Sequence, residues 1–204
     1  MNKLYKNLII ALIPVLFLKL PVFAFDVTQL GDYESLSIYY STQTKPINQE
    51  QKDLLASKKL TNNIYCLVKQ IEKNEIENVK LLLNSGININ ASYIGDTPLY
   101  IAVKKNNYEI TKLLLEHNAK PDNGFYSELY LAIKNKNEKI AQLLIEKKAN
   151  VNYTDLISGN TPLYMSLKNN MLPISAQLIQ RGAFIDSKAK ILIQNKKLEN
   201  LINN

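Results

Sequence analysis

Several residue types on which catalytic and metal sites depend are scarce in this sequence of 204 residues. His117 is the only histidine and Cys66 the only cysteine, too few for a closed zinc site built from these ligands. Glycine-rich phosphate loops, the H-E-x-x-H zinc motif and the G-x-S-x-G nucleophile motif do not occur. We therefore expect a protein that is not an enzyme, with no metal site and no cofactor.

The basic residues do not favour nucleic acid as a partner. The formal net charge is +7, but three lysines lie in the first 24 residues, which contain no Asp or Glu, so the remainder carries only +4. Arg181 is the only arginine, and the clustered guanidinium groups that read phosphates and base edges are therefore missing. Cys66 cannot form a disulfide within the chain, and we expect it to be a small buried residue.

The first 24 residues have the pattern of a secretory signal peptide. Lys3 and Lys6 precede an apolar run at residues 8–18, and small or modest side chains lead up to Ala24. Lys19 closes the run, which is shorter than the roughly 20 apolar residues of a spanning helix. The pattern predicts cleavage after Ala24 and an exported protein, periplasmic or secreted. An uncleaved membrane anchor remains the alternative.

A six-residue motif recurs along the rest of the chain. It reads TPLYIA at 97–102, SELYLA at 127–132 and TPLYMS at 161–166, and a leucine-rich run follows each copy. The opening threonine suits a helix N-cap, and the proline after it suits the first helical position. The leucine in each motif has a counterpart in an earlier unit, and these anchors are Leu67, Leu99, Leu129 and Leu163, separated by 32, 30 and 34 residues.

The motif and its period resemble the ankyrin repeat, whose pattern is T-P-L-H-x-A and whose period is about 33 residues. The resemblance implies an all-α solenoid of about four helix-turn-helix repeats with N- and C-terminal capping helices. The predicted boundaries are a capping segment at 25–60, repeats at 61–91, 92–123, 124–155 and 156–186, and a capping helix at 187–204. Residues 28–40 and 49–60 of the first cap could each be helical.

The first repeat departs most from the family pattern. Tyr65-Cys66-Leu67 stands in place of the threonine, proline and leucine, and Gln70 stands in place of the small alanine. In the other three repeats a tyrosine replaces the family's histidine, at Tyr100, Tyr130 and Tyr164, and we expect a structural role for these rings.

In ankyrin proteins, partners usually dock on the concave surface formed by the hairpin tips and the exposed side of the first helices. The corresponding candidates here are Tyr93, Ile94, Asp96, Lys104, Lys105, Phe125, Tyr126, Lys134, Ile157, Asn160 and Lys168. Lysines recurring in each repeat would form a positive stripe beside aromatic and aliphatic contacts. The competing interpretation is a solvated face of helix-favouring residues.

These observations predict a non-catalytic, exported, monomeric scaffold that binds another protein with an acidic surface. The alternative function is a membrane-anchored structural or assembly factor that keeps its first 24 residues.

Overall fold

The computed structural model describes residues 48–195 together with 198 and 200, all of them in one compact unit, Gln43–Asn204. Ten α-helices make up the regular structure between residues 48 and 195. They are α1 Gln49–Ser57, α2 Ile64–Glu72, α3 Ile76–Asn84, α4 Pro98–Lys104, α5 Tyr108–Glu116, α6 Glu128–Lys134, α7 Glu138–Glu146, α8 Pro162–Lys168, α9 Leu172–Gln180 and α10 Ser187–Asn195. The predicted signal peptide, its cleavage site and the helix predicted for 28–40 lie outside the described residues.

The helices form a solenoid of pairs. Helices α2 and α3, α4 and α5, α6 and α7, and α8 and α9 pack as pairs, and neighbouring pairs stack on each other. The first helices α2, α4, α6 and α8 make one row, which α10 continues against α8, while the second helices make the other row. The predicted all-α fold is confirmed, and the repeat boundaries themselves stay predictions.

The recurring motif acts as a helix start, as predicted. The N–H of Tyr100 donates to Thr97 Oγ1 at 3.1 Å, and that of Tyr164 donates to Thr161 Oγ1 at 3.2 Å. A proline occupies the first position of α4 and of α8, where its missing N–H leaves no intrahelical bond unmade. Ser127 caps α6 in the same way, through the N–H of Tyr130 at 3.3 Å.

The first helix of the first repeat has a different cap from its counterparts in the other repeats. Its cap is Asn63, whose Oδ1 accepts from the N–H of Cys66 at 2.8 Å. Helix α2 therefore has 9 residues, where α4, α6 and α8 each have 7. The cap thus lies two residues before Tyr65, which stands at the threonine position of the motif, because an asparagine side chain can cap a helix and a tyrosine cannot. Gln70 fits in place of alanine because its Oε1 accepts from Asn78 Nδ2 at 3.1 Å.

Left-handed residues end both helices of each pair. The turn between first and second helix has positive φ at Asn74, Asn106, Lys136 and Asn170. The turn after the second helix has positive φ at Gly86, Asn118, Lys148 and Gly182. Glycine and asparagine adopt this conformation readily, whereas other residues are strained there. Lys136 and Lys148 are thus the two unfavourable positions in an otherwise regular set.

The core is one continuous apolar layer between the two rows of helices. All four anchor leucines are buried, as are Ala102 and Ala132, whose small side chains allow α4 and α6 to approach their neighbours closely. Cys66 is also buried, as expected. Among the residues that the structure describes, no helix is long and apolar enough to cross a membrane.

Candidate functional site

The first helices share a polar face. The residues predicted from the sequence are only part of it. In each of them a tyrosine is followed four residues later by a lysine, at Tyr65 and Lys69, Tyr100 and Lys104, Tyr130 and Lys134, and Tyr164 and Lys168. Residues four apart lie on the same face of a helix. We call these eight residues the tyrosine–lysine face.

Each of the first three tyrosines packs against a second tyrosine from the segment that leads to the next first helix. The ring centroids of Tyr65 and Tyr93 lie 5.4 Å apart, and those of Tyr100 and Tyr126 lie 5.5 Å apart in a stacked arrangement. Such pairs contribute about 0.5–1.5 kcal/mol beyond the burial of their area. A third pair joins Tyr130 to a later hairpin. These rings therefore have a structural role, as predicted, because they connect neighbouring helix pairs.

The third pair is the most buried one. The ring centroids of Tyr130 and Tyr153 are 5.7 Å apart, and the hydroxyl of Tyr130 lies 3.3 Å from that of Ser158. Desolvation of its ring raises the pKa of Tyr153, and the nearby Asp155 carboxylate raises it further.

Three of the four lysines of the face, together with Lys188, lie over tyrosine rings. The ammonium nitrogen is 5.7 Å from the ring centroid for Lys69 on Tyr65, and 5.8 Å for Lys104 on Tyr100. Two lysines approach Tyr164, since Lys168 lies 5.9 Å and Lys188, from α10, lies 5.7 Å from its centroid. Cation–π contacts at exposed sites are weak but favourable. They hold these ammonium groups at defined positions along the face.

Carboxylates neutralise part of this positive stripe. Lys69 pairs with Glu72 at 3.1 Å, and the hydrogen bond between them raises the pKa of Lys69. Lys104 lies 3.7 Å from an oxygen of Asp96.

Asp155 also lies in the field of the stripe. Hydrogen bonds from Ser158 lower the pKa of Asp155, and the charge of Lys134 lowers it further. Within residues 48–195, neither Lys168 nor Lys188 has a carboxylate at ion-pair distance. Lys134 has none either, although its charge acts on Asp155. Lys168 and Lys188 are thus two unpaired lysines that lie over one ring at the α8–α10 end.

A surface pocket of about 520 Å³ opens between the second and third repeats. Its walls are Ile94, Gly95, Asp96, Tyr100, Lys104, Phe125 and Tyr126. Five of the predicted partner-binding residues therefore come together here. Ile94 is 72% exposed and Phe125 is 56% exposed, so the pocket rim is apolar while one side of it carries the pair of Lys104 and Asp96.

The other predicted residues lie at different places. Tyr93 is half-buried against Tyr65. Lys105 ends α4 and lines a second, shallower cavity of about 420 Å³ at the turn between the helices, so the structure does not bring it to the pocket. Ile157 is 96% exposed at a hairpin tip, and Asn160 Oδ1 accepts from Lys188 Nζ at 3.0 Å.

The hairpin that carries Ile94 is strained. Tyr93 and Asp96 exchange two backbone hydrogen bonds, of 2.8 and 3.2 Å. Between them Ile94 has φ of 52° and Gly95 has φ of 86°. A tight turn with two positive φ values strongly prefers Asn-Gly, and a β-branched residue with positive φ is an outlier. The turn nevertheless holds an isoleucine at the pocket rim.

A buried glutamate, not recognised from the sequence, supports the opposite wall. Glu128 has no exposed surface. Its Oε1 accepts from Thr97 Oγ1 at 3.3 Å and its Oε2 accepts from the N–H of Asp122 at 2.9 Å. Burial raises the pKa of Glu128, and the charge of Asp122 raises it further. The carboxyl thereby connects the second repeat's helix start to the segment leading into Phe125. Its only sequence signal is the glutamate that replaces proline in SELYLA.

The potential metal ligands in the described residues do not form a cluster. Over the described ranges, no three His, Cys, Asp or Glu side chains are grouped so as to hold a metal ion. His117 ends α5, with its Nδ1 3.0 Å from the carbonyl oxygen of Leu113. That contact is the one expected of a residue that closes a helix.

Comparisons with known proteins agree with the repeat pattern. Residues 31–124 and 122–189 match the family model described as ankyrin repeats (3 copies). The first match begins within the segment predicted as an N-terminal cap.

Two curated relatives are similar to parts of the chain. A protein of fowlpox virus, strain NVSL, named as an ankyrin repeat protein, is 30% identical over 115 residues, which are 55% of this chain and 28% of the viral protein. The human transient receptor potential cation channel subfamily A member 1 is 43% identical over 67 residues, 30% of this chain and 6% of the channel. The chain therefore spans less than a third of either relative.

Proposed function

This chain belongs to the ankyrin-repeat family, and from that premise we propose that it is a non-catalytic scaffold whose tyrosine–lysine face docks another protein. The observation that carries the proposal is the pocket between the second and third repeats, which has an exposed apolar rim and includes Tyr100 and Lys104 of that face. Exposed aromatic side chains bring a large contact area with few rotatable bonds, and such residues dominate many interfaces. Phe125 and Tyr126 would bury against the partner.

The charge of the face favours an acidic partner. Lys104, Lys134 and Lys168 each occupy the last turn of a first helix, and Lys188 adds a further charge beside them. Clustered charge of one sign accelerates encounter with a partner of the opposite sign. The competing interpretation, a solvated face without a partner, does not account for the exposed apolar pocket rim.

Charge reversal tests this proposal. Replacing Lys104, Lys134 and Lys168 by glutamate should abolish crosslinking of the tagged protein to its partner in its own compartment, with identification by mass spectrometry. The matched control reverses three exposed lysines of the second helices and their ends, Lys112, Lys139 and Lys147. Capture by the control but not by the first variant, with equal helical circular dichroism, supports the proposal. Equal capture by both would remove it.

We also propose export, because the first 24 residues combine two early lysines with a short apolar run. The mass of the protein recovered from its compartment tests this. An N-terminus at Phe25 supports a cleaved signal peptide and a periplasmic or secreted scaffold. Retention of Met1 in a membrane fraction would instead favour a membrane-anchored structural or assembly factor. We further propose a monomer, which light scattering of the purified protein checks.

A further inference from the structure

We propose that the docked segment of the partner is an extended acidic peptide, with one large apolar side chain in the pocket and carboxylates on Lys168 and Lys188. This inference rests on the proposed function of the tyrosine–lysine face and specifies its partner. Three features of the face carry it: the pocket, the position of the two unpaired lysines over one ring, and the distance between the two sites.

The pocket selects an apolar side chain. Ile94, Phe125 and Tyr126 form its exposed rim, and Tyr100 lies between them. Its one lysine, Lys104, is already paired with the carboxylate of Asp96. A carboxylate entering the pocket would meet Asp96 at short range, whereas an aliphatic or aromatic side chain would contact the apolar rim. The anchor is therefore apolar.

The acidic part of the peptide belongs at the α8–α10 end. Lys168 and Lys188 both approach the ring of Tyr164, and no carboxylate of the described chain pairs with either. The ammonium of Lys188 donates to the carbonyl oxygen of Ser158 at 3.2 Å and to Asn160 Oδ1 at 3.0 Å. These neutral acceptors fix its position without forming an ion pair. Carboxylates bound there would complete two ion pairs.

A continuous polyanion fits the same face poorly. Asp96 lies beside Lys104, and Asp155 lies in the field of Lys134. Evenly spaced phosphates along the stripe would pass both carboxylates, and like charges brought together oppose binding. The face therefore favours a peptide whose acidic residues are confined to one end over a nucleic acid or an anionic lipid surface.

The spacing follows from the stacking of the repeats. The pocket lies at α4, and the lysine pair lies at α8, two steps along the row of first helices. Packed helices are about 8–10 Å apart, so the two subsites are separated by about 16–20 Å. An extended chain advances about 3.3 Å per residue. An anchor placed roughly five or six residues from an acidic pair would span both subsites by that rise.

Fluorescence anisotropy with synthetic peptides and the purified full chain tests the spacing. The first peptide has Phe, then a neutral spacer of the calculated length, then Glu-Glu, and it carries a terminal fluorophore. The second peptide has the same elements in the reverse order. The comparison peptide has the same composition with Glu-Glu next to Phe. We expect one of the two spaced peptides to bind about tenfold more tightly than the comparison, a difference of about 1.4 kcal/mol. Equal affinity for all three would overturn the inference.

Two variants of the chain locate each contact. Ile94→Asn removes an apolar wall and relieves backbone strain, so that weaker binding cannot be attributed to unfolding. Lys168→Gln with Lys188→Gln removes the charge at the other end, and Lys139→Gln on the second-helix row is the control. Both test variants should lose the preference for the spaced peptide, and the control should keep it. A control that loses the preference equally would contradict the assignment.

The peptide and crosslinking results are independent. If no peptide is bound with a spacing preference while crosslinking still depends on Lys104, Lys134 and Lys168, the partner presents a folded acidic surface and this inference is wrong. If a spaced peptide binds but crosslinking is insensitive to those lysines, the proposed docking of the native partner fails instead.

Discussion

Replacing Asp122 by asparagine should stabilise the protein, because a ladder of side-chain bonds between repeats lacks one donor at that position. Asn90 and Asn152 occupy the corresponding places in the repeats on either side. Asn152 Oδ1 accepts from the N–H of Phe184 at 2.7 Å, and its Nδ2 donates to the carbonyl of Gly182 at 3.1 Å. Asn90 makes the same two contacts with the repeat after it. Each asparagine thus connects two repeats.

Asp122 can make only half of this arrangement. Its Oδ2 accepts from the N–H of Asn150 at 2.6 Å, but a carboxylate has no N–H to donate. Its Oδ1 is buried and has no hydrogen-bond partner. By its place in the repeat, the carbonyl of Lys148 corresponds to that of Gly182. Asparagine would keep the bond from Asn150 and supply the missing donor toward Lys148.

The expected gain follows from two contributions. A new intramolecular hydrogen bond contributes about 0.5–1.5 kcal/mol, and relieving a buried unsatisfied acceptor recovers about 1–3 kcal/mol. The new donor, Nδ2, takes the place of the unsatisfied Oδ1, so the two contributions overlap. We expect Asp122→Asn to raise the free energy of unfolding by about 1–2 kcal/mol. For a domain of this size, that corresponds to about 2–8 °C in Tm.

Urea unfolding followed by far-UV circular dichroism at pH 7 measures this gain. The midpoint should rise with an unchanged m-value, since the surface exposed on unfolding stays the same. The matched reverse variant, Asn152→Asp, removes the donor to Gly182 and should lower the free energy of unfolding by a similar amount. If Asp122→Asn leaves the midpoint unchanged while Asn152→Asp destabilises, then Oδ1 of Asp122 is hydrated and the reasoning is refuted.

Three further substitutions give checkable outcomes. Ile94→Asn should raise the free energy of unfolding by about 1 kcal/mol, because it relieves a left-handed β-branched residue and creates an Asn-Gly turn; a lower urea midpoint would contradict this. Lys148→Gly should raise it by about 1 kcal/mol for the same backbone reason, and Lys147→Gly, one residue earlier, should not. Burial raises the pKa of Glu128, so the native state retains a proton that the unfolded state loses. The free energy of unfolding of the parent, relative to that of Glu128→Gln, should therefore be highest at pH values below the ordinary pKa of glutamate. This advantage should be lost as the pH rises through the native pKa. Parallel profiles of unfolding free energy against pH for the two proteins would exclude this.

The regular parts of the fold could be predicted because one physical cause acts at each position. A threonine that accepts a hydrogen bond from an N–H three residues later, followed by proline, specifies a helix start without help from other repeats. The anchor leucines recur once per repeat, and each repeat forms one layer of the stack, so each of them reaches the core. Lys104 could be assigned from its distance to the anchor Leu99, and Phe125 from its place in a hairpin.

The tyrosine pairs could not be predicted in the same way. Tyr93, Tyr126 and Tyr153 lie 4, 1 and 8 residues before the cap of the next helix, so no fixed offset identifies them. Their equivalence depends on hairpins of different lengths that bring each ring to the same place. Lys105 is grouped with Lys104 in the prediction because the two are neighbours in the sequence. Adjacent residues of a helix are rotated by about 100° from each other. Two neighbouring lysines therefore do not share one face.

Three unfavourable features lie at the pocket or in the segment that leads to it. Ile94 has a strained backbone at its rim, Glu128 is a buried carboxyl behind one wall, and Asp122 has an orphan acceptor in the segment that leads to Phe125. Strain of this kind persists only where the surrounding structure imposes it, and it is commonest at functional sites. Substitutions here should therefore separate stability from binding. Ile94→Asn should raise the free energy of unfolding and weaken binding of the spaced peptide. If the pocket were only a packing defect, a more stable variant would not lose binding.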